Sequence, residues 1–468
     1  MERLLIAVVA GVFFLLPVTA KAGSPDPVQD CVDEASGVAN KLQCIEGLEV
    51  NQVASYSPGI QQYELKFTQP MDHTQPSLGT FQQRVVLLHR SETEPMVLQT
   101  SGYRIFGVAE TGLMRVFDTN QIQIEHRYFA GSSPEIKDWS KLNIKQSADD
   151  FHRITMELKR IYKKAWVGTG ASKGGMTSVY HRYFYPQDLD GTVSDVAPLS
   201  FSTSDERYID FLNQAGGAKY RDCRNKFKQF QTNLLRHRDE ILPQLSGVFN
   251  HLGGADVAFE HAVIESHFVF WQYLSPEDPS AGCAKVPVDA DPVAMFNYLQ
   301  LVNRVESYTD QNLEDFAPYY YQAATQLGNP ANVVDHFDGL RKYEFTIDQY
   351  TPKGVLYSYS NQSMEQVRDW VEGSAERIMF VYGEYDPWSA GAFPAGNPKN
   401  DMHIFTVKGG NHGSKFQALG NDDRKSAREI LARWFNKNPV AMSEAFKERS
   451  RREDLESLEL RYLRSRRL

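Results

Sequence analysis

The chain has 468 residues, 41% of them hydrophobic, with 50 Lys plus Arg against 59 Asp plus Glu and a formal net charge of −9. That length supports a large core and two domains. A moderately acidic balance without a basic face excludes nucleic acid as the expected partner.

Glu2 and Arg3 precede an apolar run over residues 4–18 and the small-residue stretch Ala20-Lys21-Ala22. This is the pattern of a secretory signal peptide cut after Ala22. The run is short for a bilayer, and no later segment reaches the required length of about twenty apolar residues. The expectation is an exported protein, secreted or periplasmic, with no membrane span. Four cysteines in such a chain suit two disulfides, of which sequence allows three pairings. Cys31 and Cys44 lie close together, and Cys223 and Cys283 both fall in the middle region, so local pairing is expected. Neither pair has Cys-x-x-Cys spacing, and no metal or cofactor is expected.

Strand-like runs follow at residues 63–67, 81–89, 96–98, 122–124, 165–168 and 192–196, with a helical stretch over 147–162. This alternation predicts a mostly parallel sheet covered on both faces. From about residue 201 to 370 the chain turns long, aromatic and helix-rich, with periodic stretches at 220–242, 257–273 and 292–305. Strand-type runs return at 378–382 and 402–407, and a helix is expected over 423–435. The predicted organisation is therefore a signal peptide (1–22), the first part of an α/β core (23–200), a helical cap (201–370), the second part of the core (371–440) and a charged tail (441–468). The tail is read as a solvated end, not a binding arm.

The run Gly170-Ala171-Ser172-Lys173-Gly174 follows an apolar strand and opens a helix, which is the pattern of a nucleophile elbow. A serine nucleophile needs a base and an acid to orient that base, in the chain order Ser, Asp or Glu, His. Asp386 lies just past the first late strand and His412 in a glycine-rich loop just past the second. The expected triad is Ser172, Asp386 and His412, with Glu384 as a competing acid and activity falling on the acid side as His412 protonates. The oxyanion hole is expected from the main-chain N–H of Lys173 and, from the loop Gln99–Tyr103, that of Tyr103.

Several separated motifs carry a family likeness: Gln69-Pro70-Met71-Asp72-His73, Glu125-His126-Arg127-Tyr128-Phe129 with Ser133-Pro134, the elbow, and Asp386-Pro387-Trp388. Over residues 48–435 the chain resembles the secreted bacterial tripeptidyl aminopeptidases, and more distantly prolyl carboxypeptidase and dipeptidyl peptidase II. The resemblance implies an α/β-hydrolase core with an inserted helical cap, a serine peptidase acting at peptide ends, and triad positions at Ser172, Asp386 and His412. The distant relatives carry Glu-His-Arg-Tyr-Tyr-Gly where this chain has Tyr128-Phe129-Ala130, so the role of that loop does not carry over.

A peptidase that removes short peptides from a free N-terminus must hold an ammonium group. Glu125, Asp205 and Glu206 are candidates, each weighed against a plain structural role. The cap aromatics, among them Phe268, Phe270, Trp271 and Tyr319 to Tyr321, line a pocket for apolar side chains or simply form core. The rival readings are an esterase with the same triad, a carboxypeptidase, which needs a cation for the other substrate end, and a non-catalytic binding protein. The number of residues released and the oligomeric state are left open by the sequence.

Overall fold

The computed structural model describes residues 26–440 apart from residues 56 and 333, so the expected signal peptide and charged tail lie outside the described residues. Nine strands form one sheet: β1 (Leu48–Val53), β2 (Gln61–Pro70), β3 (Thr80–His89), β4 (Met96–Thr100), β5 (Asn120–Ile124), β6 (Trp166–Ala171), β7 (Gly191–Asp195), β8 (Ile378–Gly383) and β9 (His403–Val407). Their spatial order is β1-β2-β3-β5-β4-β6-β7-β8-β9. The first three strands pair antiparallel and β3 joins β5 antiparallel, whereas every pairing from β5 through β9 is parallel. The molecule is an α/β-hydrolase with an antiparallel edge.

The described residues form thirteen α-helices: α1 (Pro27–Glu34), α2 (Val38–Gln43), α3 (Gly112–Phe117), α4 (Ile144–Leu158), α5 (Lys173–Phe184), α6 (Arg207–Gln214), α7 (Arg221–Arg236), α8 (Arg238–Ile241), α9 (Ala255–Tyr273), α10 (Pro292–Val302), α11 (Asp310–Gln322), α12 (Gln362–Gly373) and α13 (Asn421–Phe435). Alternation along β4 shows how the sheet is covered. Met96 and Leu98 pack with Phe151, Ile154 and Leu158 of α4 on one face. Val97 packs on the other, in a cluster with Leu431, Trp434 and Phe435 of α13. Both faces are apolar because helices bury both.

Between β7 and β8 the chain leaves the sheet. Helices α6 to α11 build a separate apolar cluster centred on Phe227, Phe230, Phe259, Phe270 and Trp271. The Cys223–Cys283 disulfide closes this block and Cys31–Cys44 closes the N-terminal helix pair, both in the expected local pairing. One boundary differs from expectation. Helix α12 falls within residues 201–370 for most of its length, yet Met364, Val367 and Val371 form a stripe packed with Ile378, Phe380 and Tyr382 of β8. By packing, α12 belongs to the sheet. The helix expected over 220–242 also divides, into α7 and α8 at His237. No described helix is long and apolar enough to cross a membrane.

Candidate active site

Parallel sheets place functional groups beyond the carboxyl ends of their strands, where loops are free to vary. Ser172 follows β6, Asp386 follows β8 and His412 follows β9, so all three emerge at the same sheet edge.

At the end of β6 the backbone turns so sharply that Ser172 adopts φ 56° and ψ −129°, a region costing a non-glycine residue roughly 1–3 kcal/mol. The turn is held by the Ser172 N–H on Asp195 O at 2.9 Å and the Met176 N–H on Ser172 O at 3.0 Å. Two flanking glycines make it sterically possible. A Cβ on Gly170 would lie 2.2 Å from Gly174 O, and one on Gly174 would lie 2.5 Å from Thr100 O.

Asp386 is fully buried. One carboxylate oxygen accepts the Trp388 N–H at 3.1 Å, and the other lies 2.7 Å from His412 Nδ1. Burial pushes the Asp386 carboxyl up, while the neighbouring imidazole and both hydrogen bonds pull it down. A carboxylate on Nδ1 selects the tautomer that carries its proton there and leaves the lone pair on Nε2. Nε2 is buried and makes no hydrogen bond among the described residues. The His412 N–H donates to Gln272 O of α9 at 2.9 Å, tying this loop to the inserted block. The competing acid, Glu384, accepts the Gly409 N–H instead and does not reach the imidazole.

Lys173, next to Ser172, is buried, and its Nζ donates to Gly102 O at 2.5 Å. The same Nζ also lies 5.5 Å from the Tyr103 ring and 5.4 Å from the Phe129 ring. Desolvation holds this amine well below the usual lysine range. Gly102, at φ 72°, sits against the backbone of Lys173 and Gly174, where an added Cβ would fall 2.4 Å from Gly174 N. The loop that carries the Tyr103 N–H is therefore pressed onto the start of α5. Tyr103 O accepts the His126 N–H at 3.0 Å, which fixes the loop from its other side.

Ser172, Lys173 and Tyr103 all line a cavity of about 510 Å³ between the sheet edge and the inserted block. That size suits a ligand of a few residues. The three acids expected to hold an ammonium group do not line it. Glu125 is buried elsewhere, accepting the Ile105 N–H and the Ser132 hydroxyl, with Arg84 at 4.0 Å. Asp205 is chelated by Arg207 at 2.6 Å, and Glu206 is exposed at the start of α6. Glu125 and Asp205 are committed to local structure, because a turn or a neighbouring arginine already satisfies each. The acids in the cavity wall are Glu265 of α9 and Glu306. Sequence reasoning missed both. The available signal was Glu265 itself, an acid within the apolar stretch Val257–Tyr273.

A profile of the family described as PS-10 peptidase S37 matches residues 32–462. The chain is 36% identical over 419 residues to the prolyl tri/tetrapeptidyl aminopeptidase of Streptomyces mobaraensis, covering 86% of each protein. Among solved structures it resembles the proline iminopeptidase of Mycobacterium smegmatis, at 12% identity and a TM-score of 0.37 over 79% of this chain and 97% of that one. It also resembles VinJ, at 12% identity and a TM-score of 0.36 over 83% and 98%.

Proposed function

This chain belongs to the PS-10 peptidase S37 family and is a serine peptidase; we propose that it is exported and releases short peptides, chiefly tripeptides, from free N-termini. Ser172 Oγ attacks the scissile carbonyl while His412 Nε2 takes its proton. Asp386 keeps the imidazole in the required tautomer and stabilises its charged form. The tetrahedral oxyanion is bound by the N–H groups of Lys173 and Tyr103, with the N-terminal end of α5 adding its dipole. His412 then protonates the departing amine, and water, activated by the same imidazole, hydrolyses the acyl-enzyme.

One observation carries this reading: a buried imidazole committed at Nδ1 to Asp386, with Nε2 left unpartnered, on the sheet edge that also carries a strained serine. Ser172 Oγ is not hydrogen-bonded to Nε2, and such contacts commonly tighten only when substrate binds. The inserted block acts as a cap that admits chain ends and excludes folded chains. The aromatic lining near Ser172, including Phe268 and Trp388 with rings 5.2 Å apart, favours an apolar residue such as proline beside the cut. The two disulfides support export.

The test is hydrolysis of chromogenic tripeptides, free and N-blocked, by the protein and its Ser172→Ala variant. Turnover of the free series alone, lost in the variant, is expected. Ester turnover without any peptide release would overturn the proposal.

A further inference from the structure

The cavity holds one carboxylate without a counter-charge. Glu265 accepts a hydrogen bond from the Tyr308 hydroxyl at 2.5 Å. That hydroxyl in turn accepts from Asn303 Nδ2 at 2.9 Å, so its own proton is directed to the glutamate. Among the described residues no cation pairs with Glu265. The other acid in the wall, Glu306, is already held by Gln300 at 2.9 Å and by Arg304 at 3.5 Å. The remaining titratable groups facing Glu265 are the phenols of Tyr320 and Tyr350, both pushed up by burial and therefore neutral. Burial raises Glu265 to about 7. An uncompensated acid in a desolvated site is costly unless a positive charge arrives.

Its position is also metrically specific. Glu265, Phe268, Val269, Gln272 and Tyr273 share the face of α9 that lines the cavity. At its catalytic end this face is fixed to His412 through the Gln272 carbonyl. Glu265 stands seven residues earlier, about 10 Å along the helix axis. Three extended residues span about the same distance. The Tyr320 and Tyr350 rings, 5.1 Å apart, line the same cavity near Glu265.

We propose that Glu265 receives the α-ammonium group of the substrate, and that the span of α9 between Glu265 and Gln272 sets the released peptide at three residues. The inference rests on the aminopeptidase reading above and names the residue that enforces it.

The experiment compares free and N-acetylated alanyl-alanyl-prolyl p-nitroanilide with the wild-type protein and Glu265→Gln. A fluorophosphonate label on Ser172 reports an intact catalytic serine in the variant. Mass spectrometry of an unblocked decapeptide digest by the wild-type protein reads product length directly. The expected result is a loss of roughly 10- to 150-fold in kcat/KM on the free substrate, mainly through KM. The acetylated substrate and the labelling rate should change little, and tripeptides should dominate the digest. If wild type prefers the free amine and Glu265→Gln keeps that preference, the ammonium is held elsewhere and only this assignment falls. A wild-type digest of single residues or dipeptides would overturn the ruler. Wild-type indifference to acetylation would overturn the aminopeptidase reading itself, and this assignment with it.

Discussion

His412 donates its backbone N–H to the carbonyl of Gln272 at 2.9 Å, so the loop that carries the imidazole is anchored to a helix of the inserted block. The sheet supplies Ser172 and Asp386, and the block supports the residue that must connect them. A displacement of α9 would therefore move the His412 imidazole relative to Ser172.

Asp386→Asn should lower kcat by roughly 10³- to 10⁴-fold while leaving KM nearly unchanged. The asparagine can still accept the Trp388 N–H, but its amide would face His412 Nδ1 and select the opposite tautomer, with the proton on Nε2. Steady-state kinetics on a free tripeptide substrate checks this, and a loss smaller than tenfold would remove Asp386 from the proposed triad.

Gly102→Ala tests the loop that carries the proposed second oxyanion donor, the Tyr103 N–H. The position has φ 72° and no room for a Cβ against Gly174 N. The loop must shift, carrying the Tyr103 N–H with it. The expected effect is a fall in kcat of roughly 10²- to 10³-fold, the usual cost of one oxyanion donor. Slower fluorophosphonate labelling should accompany it, since that reaction also develops charge on the bound oxygen.

The raised carboxyl of Glu265 has a consequence for stability as well as binding. Its value moves from 4.5 to about 7 on folding, chiefly by desolvation. A folded-state acid that holds its proton more tightly than the unfolded chain contributes no penalty below about 4.5. The penalty appears as pH rises toward 7. Glu265→Gln should therefore melt at a higher temperature than wild type at pH 8, with the gap closing toward pH 5. Thermal melts across that range decide it, and a gap that does not vary with pH would contradict a desolvated carboxylate without a counter-charge. In activity, the acid-side fall of kcat/KM on free substrates should lose one of its protonation steps in the variant.

Replacing both Cys223 and Cys283 with serine should destabilise the protein by roughly 2–4 kcal/mol, because the bond closes a loop with a sequence separation of 60. Chemical denaturation would show it. The inserted block should loosen first, since the bond ties α7 to the segment before α10. Activity should then become more sensitive to temperature, because His412 depends on α9.

The sheet edge that carries Ser172, Asp386 and His412 was legible in part beforehand, for identifiable reasons. The elbow at Ser172 is a local event whose glycines are dictated by contacts within five residues or with the adjacent strand. Asp386 and His412 could be placed because each follows an apolar strand at the end of a recognisable run. The antiparallel edge was less visible: β1 carries a mixed sequence, Leu-Glu-Val-Asn-Gln-Val, with only one face half-buried, so no apolar run marks it. The packing of α12 on β8 was not legible either, because an amphipathic stripe does not say which neighbour it meets.

The acids show where local reading stops. Glu125, Asp205 and Glu206 were singled out by motif and position, and none of them lines the cavity: Glu125 is held by Ile105 and Ser132, Asp205 by its neighbour Arg207, and Glu206 is exposed. Glu125 meets Ile105, twenty residues away, and Arg84 from another strand. Glu265 could be seen only as an acid in an apolar helix. Its place in the cavity wall depends on how α9 packs over the sheet edge, and no cation pairs with it among the described residues. Short-range backbone geometry, set by sterics over a few residues, was determined by the sequence alone. Which charges are paired and which are left open to a substrate was decided by tertiary packing, because burial and long-range proximity exist only once the chain has folded.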